Sequence, residues 1–229
     1  MASGSPVLQD PRRTSADEVF DQLQSDIVSL RLLPGTKLSE SEIAKQNDVS
    51  RQPVREAFIR LNNLGLLTVR PQKATLVRKI SISEILNARF IRTAVEVEVV
   101  RKACRNSTDS NYQAFEANLL EQTKAAKGND TDAFHTLDYE FHQQICVAAN
   151  SEFAFETIAS NKSQVDRLCM LCLANKQGML ALVEDHSRIF DALKRRDARE
   201  MIDLTRLHLS RLDSTLKKAR EEHGSFFED

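Results

Sequence analysis

The segment from residue 35 to residue 77 constrains the fold of this 229-residue chain most, because it predicts two short helices, a tight turn between them and a two-stranded ribbon. The second helix follows Ser50, a favourable N-cap residue. One side of this helix carries Arg51, Gln52 and Arg55. Its other side is apolar and consists of Val54, Ala57, Phe58, Leu61 and Leu64. An apolar face holds such a helix to its domain and leaves the guanidinium groups free to meet phosphates and base edges in a DNA major groove.

The ribbon is predicted from two short apolar stretches, residues 66–69 and 75–77, on either side of a basic tip that contains Lys73. With a further helix before them, these elements have the order of a winged helix-turn-helix domain over residues 15–79. Residues 1–14 mix Ser, Gly, Pro and charge, and we expect them to form a disordered arm. The sequence therefore predicts a small N-terminal domain that meets DNA through a helix and a ribbon tip.

The charge of the chain is divided unequally along its length. The net charge is −1, but residues 31–79 hold 10 Lys and Arg against 4 Asp and Glu, a balance of +6. Residues 81–229 hold 20 against 24, a balance of −4. A basic patch confined to one end, beside an acidic remainder, is typical of a nucleic-acid-binding domain joined to a domain of another kind.

The composition predicts a globular protein without a membrane segment. Hydrophobic residues make up 41% and charged residues 28% of the chain, which are ordinary values for globular proteins. No apolar run approaches the roughly 20 residues that span a bilayer, and residues 1–13 lack the apolar centre of a secretory signal. The four cysteines lie inside apolar helical patterns, so we expect reduced core residues and a cytoplasmic location.

From residue 80 to residue 222 the apolar residues recur with helical spacing, and residues 223–229 are expected to form a tail. Breaks divide the long segment into about six helices and fall near residues 105–109, 128–130, 150–151, 175–178 and 195–197. The predicted fold class is therefore mainly α, with an N-terminal winged helix-turn-helix domain and a C-terminal all-α bundle of about six helices.

Several polar residues occupy positions where the helical pattern calls for apolar ones. Asp138 and His142 lie four residues apart beside one apolar stripe, and His186 and His208 lie within two others. Burying such groups without a partner costs about 2–7 kcal/mol each. One divalent ion could satisfy all four, since imidazole and carboxylate suit zinc, nickel, manganese or iron. The alternative is that each is a core residue with its own partner. His135 is out of phase with its stripe and is expected at the surface.

Arg92 also lies near an apolar face, that of the first helix of the bundle. The simpler interpretation is an ion pair with Glu96, four residues later on the same helix. The functional interpretation is a clamp for a ligand carboxylate beside the metal, because a guanidinium group binds carboxylates with two hydrogen bonds.

Residues 34–67, PGTKLSESEIAKQNDVSRQPVREAFIRLNNLGLL, resemble the winged-helix motif of the GntR family of bacterial transcription regulators. The helical remainder resembles the FCD effector domain of the FadR-like subgroup, with matching motifs at residues 92–96, 138–142, 184–186 and 208. The resemblance covers roughly residues 15–220, and the combination of an N-terminal and a C-terminal motif is specific.

This resemblance implies a ligand-responsive transcription regulator that is located in the bacterial cytoplasm. Its residues 80–222 would bind an effector and form a homodimer. A divalent ion, either zinc, nickel or manganese, is expected to bind through Asp138, His142, His186 and His208. A small organic acid would lie against that ion, with Arg92 as a ligand-binding residue.

The resemblance also implies that the homodimer binds a palindromic double-stranded DNA operator. Arg51 and Arg55 would contact the DNA, with Ser50 and Gln52 close to it and Lys73 at the ribbon tip. One departure from the family lies at that tip, where Lys73 and Ala74 occupy the place of a usual glycine. Minor-groove contact by the ribbon is therefore expected to matter less than major-groove contact by the helix.

The leading hypothesis is a DNA-binding transcription regulator, a repressor released by a small organic acid at the metal site, and not an enzyme. An alternative is a metal-dependent hydrolase with an appended DNA-binding domain, because a site of three histidines and one aspartate could activate water. No general base stands out in a motif such as His-Glu-x-x-His, which disfavours hydrolysis. A purely architectural DNA binder is disfavoured by the buried polar residues, which an inert bundle does not need.

Overall fold

A computed structural model of the chain describes residues 13–70, 74–172 and 175–228. The chain divides into two compact units. The first comprises the described residues up to Ile27 together with Gly35–Arg78, and the second comprises Val28–Pro34 and the residues from Lys79 onwards.

The first unit is a helical domain with a small sheet. Its elements are α1 (Ser15–Val28), β1 (Lys37–Leu38), α2 (Glu40–Gln46), α3 (Arg51–Asn63), β2 (Leu67–Thr68) and β3 (Thr75–Val77). The strands are antiparallel and lie in the order β1-β3-β2, so the sheet has three strands where the sequence predicted two. Gly35 has a φ of +87°, and its amide donates to the carbonyl of Val77 at 2.8 Å. This turn brings β1 beside β3 and accounts for the additional strand.

The burial of α3 follows the pattern predicted from the sequence. Its side chains Val54, Ala57, Phe58 and Leu61 are at most 1% exposed. Full burial of a Val, Phe or Leu side chain stabilises the folded state by about 1.5–3 kcal/mol, and the methyl group of Ala57 contributes less. Asp48, between α2 and α3, has a φ of +52°, a backbone conformation that Asp tolerates better than most residues. The apolar face and the turn together fix α3 with its opposite face exposed.

The second unit is helical throughout most of its described length. Its helices are α4 (Ile82–Asn106), α5 (Asp109–Gly128), α6 (Thr131–Ala148), α7 (Phe153–Cys172), α8 (Lys176–Lys194), α9 (Ala198–Ser210) and α10 (Leu212–Glu222), followed by a 3-10 turn at Gly224–Phe226. The sequence predicted about six helices here, whereas the described residues form seven. The last predicted helix is divided at Arg211, whose side chain pairs with Asp185.

Side-chain caps explain where several of these helices begin. Thr108 accepts a hydrogen bond from the amide of Asn111 in a capping box at the start of α5. Asp130 and Asp197 accept hydrogen bonds from backbone amides in the first turns of α6 and α9. Each cap satisfies an amide that would otherwise lack a partner and contributes about 1 kcal/mol. The chain breaks predicted from the sequence therefore coincide with capped helix starts.

The largest core cluster of the second unit joins α4, α5, α6, α7, α8 and α9. Phe115 lies at its centre, with its ring centroid 5.5 Å from that of Phe141 and 5.3 Å from that of Phe190. Phe141 also stacks on the imidazole of His186 at 4.2 Å. The aromatic core thus continues directly into a polar interior, which contains the candidate site.

The segment expected to be a tail packs against the start of α4. The amide of Ile80 donates to the carbonyl of Phe226 at 2.8 Å, and the amide of Glu228 donates to the carbonyl of Ile80 at 3.0 Å. Phe227 is 2% exposed and lies in a small apolar cluster with Ile80, Ile85 and Ala219. Residues up to 228 are therefore part of the folded unit. None of the helices in the described part of the chain is sufficiently long and apolar to cross a membrane.

Candidate metal centre and DNA-binding helix

Three histidines from three different helices meet inside the second unit. His142 of α6, His186 of α8 and His208 of α9 each place one ring nitrogen within 4.8 Å of the others. They are 3%, 0% and 8% exposed. Neutral imidazoles at this separation form a donor set that transition metals and zinc accept.

Each of these histidines has an acceptor beside its Nδ1 atom. His186 Nδ1 donates to Oε1 of Gln122 on α5 at 2.9 Å. His142 Nδ1 lies 2.9 Å from a carboxylate oxygen of Glu96 on α4. His208 Nδ1 lies 3.4 Å from a carboxylate oxygen of Asp185. Among these contacts only that of His186 is a hydrogen bond, since Nδ1 of His142 and Nδ1 of His208 make none to the described residues. An acceptor bound to Nδ1 favours the tautomer whose Nε2 carries a free lone pair, as in metal-binding histidines.

Burial sets the charge of the central imidazole. Burial, together with the neighbouring His208, holds the pKa of His186 well below its usual range. Nε2 of His142 and Nε2 of His186 are both buried without a hydrogen-bond partner in the described structure. The centre therefore contains buried ring nitrogens without a partner, and its central imidazole, His186, is in the neutral form in which histidine binds a metal.

The carboxylate of Asp138 on α6 contacts both the histidine cluster and a lysine of α7. Its Oδ1 is 3.5 Å from Nε2 of His186, whereas its Oδ2 is 2.8 Å from Nζ of Lys162 on α7. Burial alone would raise the pKa of Asp138, but the nearby ammonium of Lys162, followed by the neighbouring His142 and His186, lowers it well below its usual range. Asp138 is therefore ionised, with one oxygen directed toward the histidines.

A second polar cluster adjoins the histidines on the α7 side. Lys162 is 4% exposed, and its Nζ lies 2.5 Å from Oδ1 of Asp166 and 4.2 Å from the ring centre of Tyr139. The hydroxyl of Tyr139 donates to Oδ2 of Asp166 at 2.8 Å. Burial would lower the pKa of Lys162, but Asp138 and Asp166 raise it, so the ammonium is charged. The ammonium group of Lys162 therefore directs its charge toward three groups inside the unit: Asp138, Asp166 and the ring of Tyr139.

Three residues of this region were not predicted correctly from the sequence: His135 differs from the expectation, and Lys162 and Asp166 were not identified. The expectation that His135 is a surface residue is wrong, because its side chain is only 31% exposed and its Nε2 lies 3.2 Å from Asp166. His135 is drawn inward by that carboxylate. Lys162 and Asp166 were missed, although they are in phase with the apolar residues Ile158 and Val165 of α7. The signal that identified the histidines, a polar residue in an apolar stripe, was therefore present.

Arg92 forms the predicted ion pair with Glu96 and also keeps a donor that a ligand carboxylate could use. It is 4% exposed, and its Nε donates to Oε1 of Glu96 at 2.8 Å, which is the expected pair within α4. Its Nη2 is buried and makes no hydrogen bond to the residues that the structure describes. Burial would raise the pKa of Glu96, but Arg92 and His142 lower it, so the pair is ionic. Arg92 thus retains one buried donor after pairing with Glu96.

One cavity connects these groups. Its polar lining includes Arg92, Thr131, His135, Asp138, His142, Lys162, Asp166 and His208. Its apolar lining includes Phe134, Val165, Met170, Met179, Leu182 and Leu209. Arg211 also lines it and is 41% exposed, with its guanidinium bound to Asp185 by two hydrogen bonds. The structure therefore places the predicted residues Arg92, Asp138, His142 and His208 around one space, with His186 packed behind them.

The residues predicted to contact DNA lie on the first unit, at the start of α3. Ser50 is the N-cap residue, and Ser50, Arg51 and Gln52 are all exposed. Arg55 is also exposed but binds Glu40 of α2 through two hydrogen bonds of 3.3 and 3.1 Å. Lys73, predicted at the ribbon tip, lies outside the described residues. The side of α3 opposite its buried face is therefore basic and open.

Two family models match the chain. The model "Bacterial regulatory proteins, gntR family" matches residues 15–77, and the model "FCD domain" matches residues 87–211. The first match extends from α1 to β3, and the second extends from α4 to the end of α9 and contains all four predicted metal ligands.

Relatives of the chain carry names of the same kind. The HTH-type transcriptional repressor RspR of Escherichia coli is 35% identical over 219 residues, covering 96% of this chain and 96% of its own. A probable D-xylose utilization operon transcriptional repressor of Paenarthrobacter nicotinovorans is 30% identical over 187 residues, 81% of each chain. These names describe transcription regulators rather than enzymes, so the hydrolase alternative has no support.

Solved structures share the fold. McbR/YncC of Escherichia coli aligns with a TM-score of 0.78 at 21% identity, over 90% of this chain and 98% of its own. A GntR regulator from Rhodococcus sp. aligns with a TM-score of 0.75 at 22% identity, over 88% of this chain and 97% of its own. The predicted fold class, a winged helix-turn-helix domain followed by an all-α domain, is thereby confirmed. The chain belongs to the GntR family of bacterial DNA-binding transcription regulators and carries an FCD domain as its helical part.

Proposed function

We propose that this regulator is a repressor that binds a palindromic operator as a homodimer and leaves it when a small organic acid binds at a metal ion in the FCD domain. The observation that carries this proposal is the convergence of three buried histidines, each with an acceptor at Nδ1. Histidines whose ring nitrogens have separate partners in the core need not approach one another. Histidines that bind the same ion must place their ring nitrogens close together.

The residues present fit a divalent ion. His142, His186 and His208 would bind it. Asp138 is not part of the group of ligand atoms that lie within 4.8 Å of one another, but its Oδ1 is 3.5 Å from Nε2 of His186, and we assign it as the fourth ligand. Buried Nε2 atoms without partners in the described structure cost free energy that coordination would recover. Three nitrogens and one carboxylate oxygen suit zinc, nickel or manganese. When bound, the ion would supply positive charge that attracts the carboxylate of a ligand.

Arg92 supplies the second anchor for such a carboxylate. It lines the same cavity as His142 and His208, and its Nη2 is buried without a partner among the described residues. Hydrogen bonds to charged groups contribute about 1.5–3 kcal/mol, so this donor adds substantially to the affinity for an acid. The ion pair with Glu96 keeps the guanidinium in position before the ligand arrives.

Operator recognition is assigned to the start of α3. Arg51 and Gln52 are exposed there, and Arg55 would exchange its partner Glu40 for DNA. A single recognition helix reads only a few base pairs, so two half-sites are needed for adequate affinity, which favours a homodimer and a palindrome. Lys73 remains a predicted contact of the ribbon tip. Such a regulator acts where the chromosome is, in the bacterial cytoplasm.

Exposed apolar side chains on α4 support the homodimer. Phe90 is 76% exposed, and Leu86 and Ile91 nearby are 39% and 38% exposed. Leu86 and Phe90 are four residues apart and share one side of the helix. Apolar surface of this kind is typical of a contact between protein chains. We expect Phe90→Glu to shift the protein from dimer to monomer in light-scattering measurements.

The experiment that tests the function begins with selection of operator DNA from a random library by the zinc-loaded protein. Operator affinity is then measured by fluorescence anisotropy with and without zinc and a series of organic acids. We expect one or more acids to weaken operator binding at least tenfold in the presence of zinc, and not in its absence.

Variants of α3 provide the second part of this experiment. Arg51→Ala should weaken binding by about 1–3 kcal/mol per half-site if Arg51 reads a base. Arg188→Ala, a change of an exposed arginine in the FCD domain, is the matched control and should leave affinity unchanged. Unchanged operator affinity in both Arg51→Ala and Arg55→Ala would contradict the assignment of this helix.

A further inference from the structure

The charges around the cavity restrict the acid that it can accept. Two cations, Arg92 and Lys162, face the interior, and three carboxylates accompany them, those of Glu96, Asp138 and Asp166. These five groups carry a formal net charge of −1, and a divalent ion would change it to +1, because histidines that bind an ion through a nitrogen lone pair are uncharged. Transfer of uncompensated charge into a buried site is costly, so the ligand that neutralises the site carries a single negative charge.

The hydrogen-bond donors that line the cavity also favour a ligand with a single carboxylate. Lys162 is fully used, since its ammonium contacts Asp138, Asp166 and the ring of Tyr139. Arg211 is held by two hydrogen bonds to Asp185. Arg92 retains a buried Nη2 atom without a hydrogen-bond partner in the part of the chain that the structure describes. A first ligand carboxylate thus finds the ion and the Nη2 atom of Arg92, whereas the other two cations of the lining, Lys162 and Arg211, already bind carboxylates through their donors.

Most of the remaining lining of the cavity is apolar, although Thr131, His135 and Arg211 also contribute to it. Phe134, Val165, Met170, Met179, Leu182 and Leu209 belong to the apolar part of the lining. A second carboxylate turned toward these side chains would lose its hydration without gaining a hydrogen bond. A hydrocarbon chain placed there would instead gain about 0.8 kcal/mol for each buried CH₂ group.

We propose that the effector of this regulator is a monocarboxylate with an apolar body, and that the Lys162–Asp138–Asp166 cluster excludes dicarboxylates. The proposal rests on the acid-binding site described under the proposed function and narrows it to one class of ligand. Lys162 acts here as a specificity determinant, because it is positively charged yet unavailable to the ligand.

The test compares butyrate with succinate, which have the same number of carbon atoms and differ by one carboxylate. Binding to the zinc-loaded protein is measured by isothermal titration calorimetry at pH 8, above the ordinary range of imidazole titration. We expect butyrate to bind at least tenfold more tightly than succinate. Equal or tighter binding of succinate would overturn the monocarboxylate proposal while leaving acid binding intact. Failure of both acids to bind would refute this proposal, and failure of every acid in the series used for the operator measurements would refute the acid-binding function as well.

A charge variant checks the cause of the selectivity. Asp166→Asn removes one negative charge from the cluster at nearly constant volume, so Lys162 gains capacity for a second ligand carboxylate. The ratio of the butyrate and succinate affinities should then fall at least threefold. Asp191→Asn makes the same charge change in an exposed pair with Lys194 and should leave the ratio unchanged. An unchanged ratio in a folded Asp166→Asn protein would show that the cluster does not determine selectivity.

Discussion

Gln122 offers a selective way to disturb the metal centre without removing a ligand. It is fully buried on α5, accepts a hydrogen bond from Nδ1 of His186 and donates to Oδ1 of Asn118 at 2.6 Å. Gln122→Met keeps the length of the side chain but removes both hydrogen bonds. The imidazole of His186 then loses the acceptor that holds Nε2 toward Asp138 and the other histidines.

The expected magnitude follows from these two contacts. Loss of a partner around a metal-binding histidine lowers metal affinity about 10–100-fold, which corresponds to about 1.4–2.7 kcal/mol. The free energy of unfolding of the metal-free protein should also fall by about 1–3 kcal/mol, because the buried amide of Asn118 and the imidazole of His186 lose a partner. Both proteins are first loaded with zinc, and zinc affinity is measured by competition with a fluorescent chelator.

A matched control lies on the same helix. Gln113 of α5 is exposed, so Gln113→Met makes the same chemical change away from the centre. It should alter neither the zinc affinity nor the free energy of unfolding by more than about 0.5 kcal/mol. Zinc affinity in Gln122→Met equal to that of the control would refute the argument that Gln122 orients a metal ligand.

Three further predictions concern other parts of the chain. Hydrogen bonds from Thr14, followed by that from Arg60, lower the pKa of Asp17 from 3.8 to about 2. The ionised carboxylate therefore stabilises the folded protein fully above about pH 4, and this stabilisation is lost as the pH falls toward 2. Asp17→Asn should remove this acid-dependent loss of stability in melting curves. Phe227→Ala should lower the free energy of unfolding of the FCD domain by about 3 kcal/mol in urea titrations, whereas Phe153→Ala, at a side chain that is 78% exposed, should be nearly neutral. Arg92→Lys should retain operator binding but weaken butyrate binding at least tenfold, since it keeps the charge beside Glu96 and loses the free Nη2 donor.

The parts of the fold that depend on local patterns could be predicted from the sequence. The buried face of α3 and most breaks between helices follow from helical spacing and from capping residues such as Thr108 and Asp130. The polar residues Asp138, His142, His186 and His208 could be identified because a buried polar group needs a partner. Their convergence could not, because helical spacing gives the face of each helix and not the arrangement of one helix against another.

The features that escaped prediction depend on contacts between distant segments. Strand β1 forms because the turn at Gly35 places it beside β3, and the division between α9 and α10 coincides with the pair formed by Arg211 and Asp185. Lys162 carried the same pattern as the histidines, but a lysine is more often explained by an extended, solvated side chain. Its partners Asp138 and Asp166 become apparent only when α6 and α7 are seen side by side.

The central claim, that the FCD domain holds one divalent ion through His142, His186 and His208, is tested most directly by metal stoichiometry. The purified protein is stripped with a chelator, loaded with zinc, desalted and measured by inductively coupled plasma mass spectrometry. We predict one zinc ion per chain in the native protein and in His135→Ala, and at most a few per cent of that in the variant carrying both His186→Ala and His208→Ala, with circular dichroism confirming that all three are helical. No bound zinc in the native protein, or equal amounts in the double variant, would contradict the account.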